Sequence, residues 1–130
     1  MAQVIGLGGV FFKVDDPEAT MDWYRNVLGV SVNEYGGADF LHANSAQGRT
    51  QSARTIFAPF KTETDYFQPS GAAFMINLMV DDLDGVLELV QAAGVPLEGE
   101  RQDYDYGRFA WVMDPNGIKV ELWEPIEPAS

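Results

Sequence analysis

The feature that most constrains this chain is an internal repeat with an offset of 66 residues. The segment 9–16 (GVFFKVDD) matches the segment 75–82 (MINLMVDD), and both end in Val-Asp-Asp. The segment 54–59 (RTIFAP) matches the segment 120–125 (VELWEP) at the same offset. A repeat at a fixed offset indicates that one structural unit occurs twice, so two copies of about 65 residues fill the 130 residues.

Each copy opens with alternating apolar residues, which is typical of a strand with two different faces. These strands are predicted at 9–14 in the first copy and 75–80 in the second. We expect the even-numbered residues of both strands to face a helix. The odd-numbered residues, such as Lys13 and Asn77, should then face across the sheet.

A helix is predicted directly after each of these strands. Asp16 is a good N-cap residue, Pro17 suits the first helical position, and Gly29 suits a left-handed C-terminal cap. Asp82 and Gly94 have the same roles in the second copy. Both helices carry a wide apolar stripe, which is more often core than binding surface.

Three further strands are predicted after each helix. They lie near 31–36, 38–45 and 53–60 in the first copy, and near 97–105, 107–114 and 119–125 in the second. The turn sequence Asp-Pro-Asn-Gly at 114–117 joins the last two strands as a hairpin. The prediction is one α+β domain over 1–130 with two tandem βαβββ modules: module one at about 1–60, a linker at about 61–71 and module two at about 72–125.

The ordered set of motifs resembles the glyoxalase/bleomycin resistance protein/dioxygenase superfamily, also called the vicinal oxygen chelate superfamily. The matching motifs are Val-Asp-Asp at 14–16 and 80–82, Leu-Gly at 28–29, Ala-Gly-Val at 93–95, and the 114–117 turn leading to Glu-Leu-Trp at 121–123. The resemblance implies that the two modules curl into a cup-shaped mixed sheet with helices outside. It also implies a site on the concave face and a homodimer.

The resemblance further implies where a metal would bind. Metal-using members take ligands from the first and fourth strands of each module, and the corresponding residues here are Gly9, Thr55, Met75 and Glu121. Glycine has no side chain, methionine is a soft ligand, and a divalent site usually needs at least three good protein ligands. We therefore expect no cofactor and disfavour a divalent metal. An atypical pair of ligands, His42 and Glu121, stays open.

Composition excludes several classes of function. The net charge is −12, with 20 acidic and 8 basic residues, which disfavours nucleic acid and anionic membrane surfaces as partners. The same charge permits a cationic ligand. The chain has no cysteine, which excludes disulfides and thiolate sites. No membrane-length apolar run is present, and residues 1–5 lack a basic targeting region, so a cytoplasmic location is expected.

Glu121 is the candidate catalytic residue. It alternates with Val120 and Leu122 on a predicted strand and should therefore face the cup. Burial there would make this carboxylate a stronger general base. It would equally suit a cationic ligand group or a structural hydrogen bond, and these alternatives stay open.

Other candidates for ligand contact are aromatic or polar. Tyr104, Tyr106 and Arg108 offer stacking, hydrogen bonds and an anion clamp, although a simple turn with exposed aromatics is the alternative. The linker segment 65–67 is a candidate lid. The remaining residues expected to line the cup are Phe11, Phe57, Met75, Asn77, Met79, Trp111 and Trp123, some of which a dimer interface would bury instead. His42, the only histidine, is expected at the surface rather than in catalysis.

The leading hypothesis is a metal-independent protein that sequesters a small cationic or aromatic molecule in the cup, as a bleomycin-resistance-like homodimer. The alternative is an enzyme resembling lactoylglutathione lyases and other isomerases, or ring-cleaving dioxygenases, with Glu121 as base or metal ligand. A metal-free variant of that enzyme would use Glu121 as base, with Arg108 or Tyr104 steadying an enolate. A purely structural or regulatory module is a third reading.

Overall fold

The computed structural model describes residues 1–128. Its elements in chain order are α1 (Pro17–Leu28), α2 (His42–Ala46), β1 (Ile76–Met79), α3 (Leu83–Ala92), β2 (Gln102–Tyr104), β3 (Gly107–Met113) and β4 (Lys119–Pro125). The strands form one open sheet in the order β1-β4-β3-β2. Strand β1 is parallel to β4, and the other pairs are antiparallel. The predicted α+β class is confirmed, and the second half has the expected βαβββ order.

Both long helices begin as their sequences predict, and α1 ends at the predicted Gly29, whereas the cap residue of α3 is Ala93, one position before the left-handed Gly94. The Asp16 carboxylate accepts a hydrogen bond from the Ala19 N–H at 3.0 Å, and Gly29 closes α1 at φ 73°. The Asp82 carboxylate accepts from the Gly85 N–H at 3.2 Å at the start of α3. These side chains occupy backbone donors that a helix end leaves free, which fixes both helices immediately after the preceding segment.

One face of the sheet packs against α1 and α3. The buried core consists of Tyr24, Val27, Leu28, Leu83, Val90, Ala110, Val112, Val120 and Leu122. Leu78 and Val80 pack against this cluster, so the predicted orientation of the strand in module two is confirmed. Alternate residues of β3 and β4 must then point to the opposite, open face.

The 114–117 turn fastens the sheet to α1. Asp114 is buried, and its Oδ1 accepts from the N–H groups of Asn116 at 2.8 Å and Ile118 at 2.9 Å. Its Oδ2 accepts from the Tyr24 hydroxyl at 2.7 Å. Burial and this carboxylate raise the pKa of the Tyr24 phenol, so the hydroxyl remains a donor. The predicted hairpin is confirmed, and it joins a helix of the first half to the sheet of the second.

The strands predicted for module one are absent. No residue of 1–75 belongs to a strand, and α2 occupies part of the segment 38–45. Val10, expected to face a helix, is 59% exposed. A strand needs a neighbour for its backbone N–H and C=O groups, and these segments find none within the described chain. The strand predicted at 97–105 is likewise shortened to β2.

Exposed apolar side chains are concentrated in the same half. Among the described residues, 19 large apolar or aromatic side chains are exposed, and 15 of them lie within 1–74. They lie outside the core, which is built around α1, α3 and the sheet.

No helix within residues 1–128 is long and apolar enough to cross a bilayer.

Candidate functional site

The open face of the sheet centres on Glu121, a residue that is 8% exposed. Asn77 on β1 and Trp111 on β3 are its direct partners in register. The Asn77 Nδ2 donates to Glu121 Oε1 at 2.6 Å, and the Trp111 Nε1 donates to Oε2 at 2.8 Å. The Tyr66 hydroxyl also donates to Oε2. Three donors from three separated parts of the chain therefore meet on one carboxylate.

All three donors to Glu121 are neutral. None of the ion pairs formed by the described residues includes this carboxylate. A buried charge without an ionic partner depends on hydrogen bonds for its stability, and charge-assisted hydrogen bonds are the stronger kind. The three bonds occupy three of about four acceptor positions that a carboxylate offers.

Tyr66 reaches Glu121 from the irregular segment between the two halves. The Lys119 ammonium donates to the Tyr66 carbonyl at 2.8 Å and lies 5.3 Å from the centre of its ring. The Ser70 hydroxyl donates to the Gly117 carbonyl at 2.5 Å and holds the same segment against the 114–117 turn. Burial and the contact with Glu121 raise the pKa of the Tyr66 phenol, so it stays protonated as a donor.

Eight aromatic rings form one connected network around this carboxylate, which we call the aromatic platform. Its members are Phe60, Tyr66, Phe67, Tyr104, Tyr106, Phe109, Trp111 and Trp123. At its centre Phe109 stacks on Trp111 and on Trp123, each at 6.4 Å between ring centres. The chain has 16 aromatic residues, so half of them are gathered here. Every aromatic residue of the four strands belongs to the aromatic platform.

Gly107 makes room for one of these rings. A Cβ atom at this position would lie 2.7 Å from Trp123 Nε1 and 3.2 Å from a ring carbon of Phe109. The Trp123 Nε1 is buried and has no hydrogen-bond partner among the described residues. The stack of Trp123 on Phe109 therefore requires glycine at the start of β3.

Most candidates of the second half lie on this face. Trp111, Trp123, Tyr104 and Tyr106 belong to the aromatic platform, and Asn77 contacts Glu121. Met79 pairs in register with Trp123 and shares its face. Within the candidate lid at 65–67, Tyr66 makes the contact with Glu121.

Other predicted residues are not brought to the site. Arg108 lies on the opposite face, where its guanidinium is 3.4 Å from Glu124. Phe11 and Phe57 are 97% and 88% exposed and belong to no aromatic pair among the described residues. His42 is an exposed residue at the start of α2.

Sequence reasoning missed Phe109 and Phe60. Phe109 stands two positions from Trp111 on the same strand, so alternation alone places both rings on one face. Phe60 carried no such signal, because it contacts Tyr66 through the fold of an irregular segment.

Residues 6–122 match the family model of the glyoxalase/bleomycin resistance protein/dioxygenase superfamily. The chain belongs to this superfamily. No curated protein matches the sequence. The resemblance seen in the sequence motifs is thus confirmed at the level of the superfamily.

Several solved structures are similar to this chain. The superfamily member is similar to TnmS3, an antibiotic binding protein from a Streptomyces species, with 25% identity, a TM-score of 0.50 and coverage of 87% of this chain and 89% of that chain. It is also similar to the fosfomycin resistance protein FosX of Listeria monocytogenes, with 16% identity, a TM-score of 0.56 and coverage of 95% and 96%. A further match, a conserved domain protein, has 16% identity and a TM-score of 0.39, over 57% of this chain and 59% of that chain.

The residues at the metal positions of the superfamily do not fit a metal. Glu121 already accepts hydrogen bonds at both oxygens. Gly9 offers no side chain, and a Cβ built there would meet only Phe11. Within residues 1–128, no three His, Asp or Glu side chains come together as a possible metal site. A metal would have to displace the donors of Glu121 and recruit ligands from elsewhere.

Proposed function

We propose that this superfamily member binds a small organic molecule with an aromatic surface on the open face of its sheet, without a resident metal. One observation carries the proposal: eight connected rings surround a buried carboxylate that is held by neutral donors. Small-molecule sites typically combine apolar and aromatic lining with a few well-placed polar groups.

The aromatic platform suits a flat ligand. Its central rings lie nearly parallel, with interplanar angles of 16° for Phe109 and Trp111 and 7° for Phe109 and Trp123. Tyr104 and Tyr106 at one end are stacked at 5.3 Å and remain exposed. Exposed aromatic patches commonly mark binding sites. A planar molecule would cover these rings while its polar groups reach Glu121.

The comparison with TnmS3 supports sequestration over catalysis. That protein is described as antibiotic binding, and the match covers most of both chains. The lyase and dioxygenase alternatives rely on a metal, and the donor set here does not fit one. A metal-free enzyme with Glu121 as base stays the alternative. The choice between a cationic and a neutral ligand stays a prediction.

Trp111→Ala tests this function. A library of small aromatic molecules and cationic glycopeptides is screened by thermal shift, and each hit is titrated by calorimetry. We expect hits in the wild type and about thirtyfold weaker binding in the variant, because a buried aromatic anchor contributes roughly 2 kcal/mol. Removing metals with a chelator should leave wild-type affinity unchanged.

The matched control is Tyr35→Ala, which removes an exposed ring outside the aromatic platform. Its affinity should equal that of the wild type. A library without hits, or hits whose affinity is unaffected by Trp111→Ala, would contradict binding on this face. Affinity that disappears with the chelator would contradict metal independence and favour the enzyme alternative.

We also propose that two copies of the chain associate. The exposed apolar side chains of the first half would be buried in the interface between the two copies. Its extended segments would pair with strands of the other copy. The expected result is a mass twice the 14.4 kDa of one chain in light scattering after size exclusion. A single-chain mass at micromolar concentration would contradict this association. The cytoplasmic location stays a prediction.

A further inference from the structure

The three donors to Glu121 are held in two different ways. Asn77 and Trp111 stand on β1 and β3, directly opposite Glu121 in the registers of a hydrogen-bonded sheet. Tyr66 lies outside every helix and strand, 55 residues away along the chain. Two donors therefore belong to the frame of the site, and the third comes from a separate segment laid over it.

The segment that carries Tyr66 is attached by few polar contacts. Its polar links to the sheet and its turn come from Tyr66 itself, from Lys119 and from Ser70. The Tyr66 ring, whose side chain is partly exposed, stacks on Phe60 of the same segment at 5.8 Å. Few buried contacts mean a low free energy of local opening, so Tyr66 is the donor that a ligand can replace.

We propose that the Tyr66 side chain occupies the ligand position at Glu121, and that the natural ligand carries a phenolic hydroxyl which replaces that of Tyr66. The inference rests on the proposed binding function and names the chemistry that the site recognises. The ligand hydroxyl would donate to Glu121 Oε2, and the ligand ring would take the place of the Tyr66 ring beside Trp111.

The surroundings of Tyr66 define what fits there. Its ring meets Trp111 edge to face, with ring centres 6.3 Å apart and planes at 89°. The Lys119 ammonium lies 5.3 Å from the Tyr66 ring centre and 5.9 Å from that of Trp111. A cation attracts the face of a neutral aromatic ring and repels a second cation. Lys119 would therefore repel an ammonium group on the ligand, whereas the Glu121 carboxylate would attract one. A neutral phenol reproduces the donor that Tyr66 supplies to Glu121 without a second cation beside Lys119.

Three matched probes test this chemistry. They are 2-naphthol, 2-methoxynaphthalene, which lacks the donor, and 2-naphthylmethylamine, which is protonated at neutral pH. Each is titrated by calorimetry into the full chain and into Tyr66→Phe, which keeps the ring but not the hydroxyl. We expect Tyr66→Phe to bind 2-naphthol about tenfold more tightly than the wild type, because one competing hydrogen bond is removed. Both proteins should prefer 2-naphthol to the methyl ether by about tenfold or more.

Ser70→Ala provides a second variant that leaves Tyr66 and Glu121 untouched. It removes the contact with the Gly117 carbonyl, so it should loosen the segment and also increase 2-naphthol affinity. Tyr35→Phe, at an exposed tyrosine outside the aromatic platform, should bind all three probes like the wild type. Thermal unfolding of every variant checks that the fold is retained.

The outcomes separate the inference from the proposed function. Equal affinity for 2-naphthol and its methyl ether overturns the proposal that the ligand donates a phenolic hydroxyl. A preference for the amine overturns it as well and indicates a cationic ligand instead. Unchanged 2-naphthol affinity in both Tyr66→Phe and Ser70→Ala overturns the replacement of Tyr66. If no probe binds but other library members bind in a Trp111-dependent way, the inference fails and the proposed function stands. If nothing binds at all, both fail.

Discussion

Replacing Asp114 with alanine is expected to lower the free energy of unfolding by about 2–5 kcal/mol. Asp114 is 6% exposed, and its carboxylate accepts from the hydroxyl of Tyr24 and the N–H groups of Asn116 and Ile118. Removing it leaves the Tyr24 hydroxyl and the Ile118 N–H buried without this acceptor, and each unsatisfied group costs roughly 1–3 kcal/mol. The measurement is urea unfolding followed by tryptophan fluorescence.

Two further variants show where the loss comes from. Tyr24→Phe removes one donor and should cost less than Asp114→Ala, and the double variant should lose less than the sum because the two side chains share one contact. Asp15→Ala, at an exposed aspartate, is the matched control and should change stability little. A loss for Asp114→Ala no larger than that of this control would contradict the role of the turn in joining α1 to the sheet.

The parts of the fold that sequence predicted are those with local signals. Asp16 and Gly29 mark the ends of α1 through contacts within a few residues, and the 114–117 turn closes its own hairpin. Alternation predicted that Asn77 and Glu121 face away from the helices, and the two are paired in register in the sheet. Each of these predictions depends on residues that lie within a few positions of one another in the sequence.

The prediction of strands in module one was wrong because the pairing of strands does not depend on local sequence. The repeat gives 9–14 the pattern of β1, but a strand forms only when a neighbour pairs with its backbone. In the second half β4 supplies that neighbour for β1, whereas 53–60 does not do so for 9–14. A repeated pattern therefore predicts which residues suit a strand and leaves open what pairs with them.

The candidate site shows the same division. The sheet contributes Asn77, Trp111 and Glu121 in register. Alternation along the strands was enough to identify Asn77 and Glu121. The contact between Tyr66 and Glu121 spans 55 residues and depends on how an irregular segment lies over the sheet. Nothing in the residues near Tyr66 specifies its partner, so the sequence indicated a lid and could not identify its contact.

Gly107→Ala is expected to disturb the aromatic platform without touching Glu121. The new Cβ would lie 2.7 Å from Trp123 Nε1 and 3.1 Å from a second indole atom, closer than side-chain carbons normally approach. The indole must then leave its stack on Phe109. We expect a loss of about 1–3 kcal/mol in stability, because overpacking forces side chains from preferred positions. Ligand affinity should fall about fivefold, since an aromatic contact contributes roughly 1 kcal/mol.

Gly37→Ala is the matched control for Gly107→Ala, because a Cβ there meets nothing within 4 Å and its backbone is not left-handed. Near-ultraviolet circular dichroism should change for Gly107→Ala, since the stacked indole is displaced, and should match the wild type for Gly37→Ala. Stability and affinity are measured on the same samples. If affinity falls while the aromatic signal stays constant, Gly107 acts by some route other than Trp123. If the signal changes while affinity holds, the ligand does not rest on the Trp123 end of the aromatic platform, and binding is confined to the rings beside Glu121.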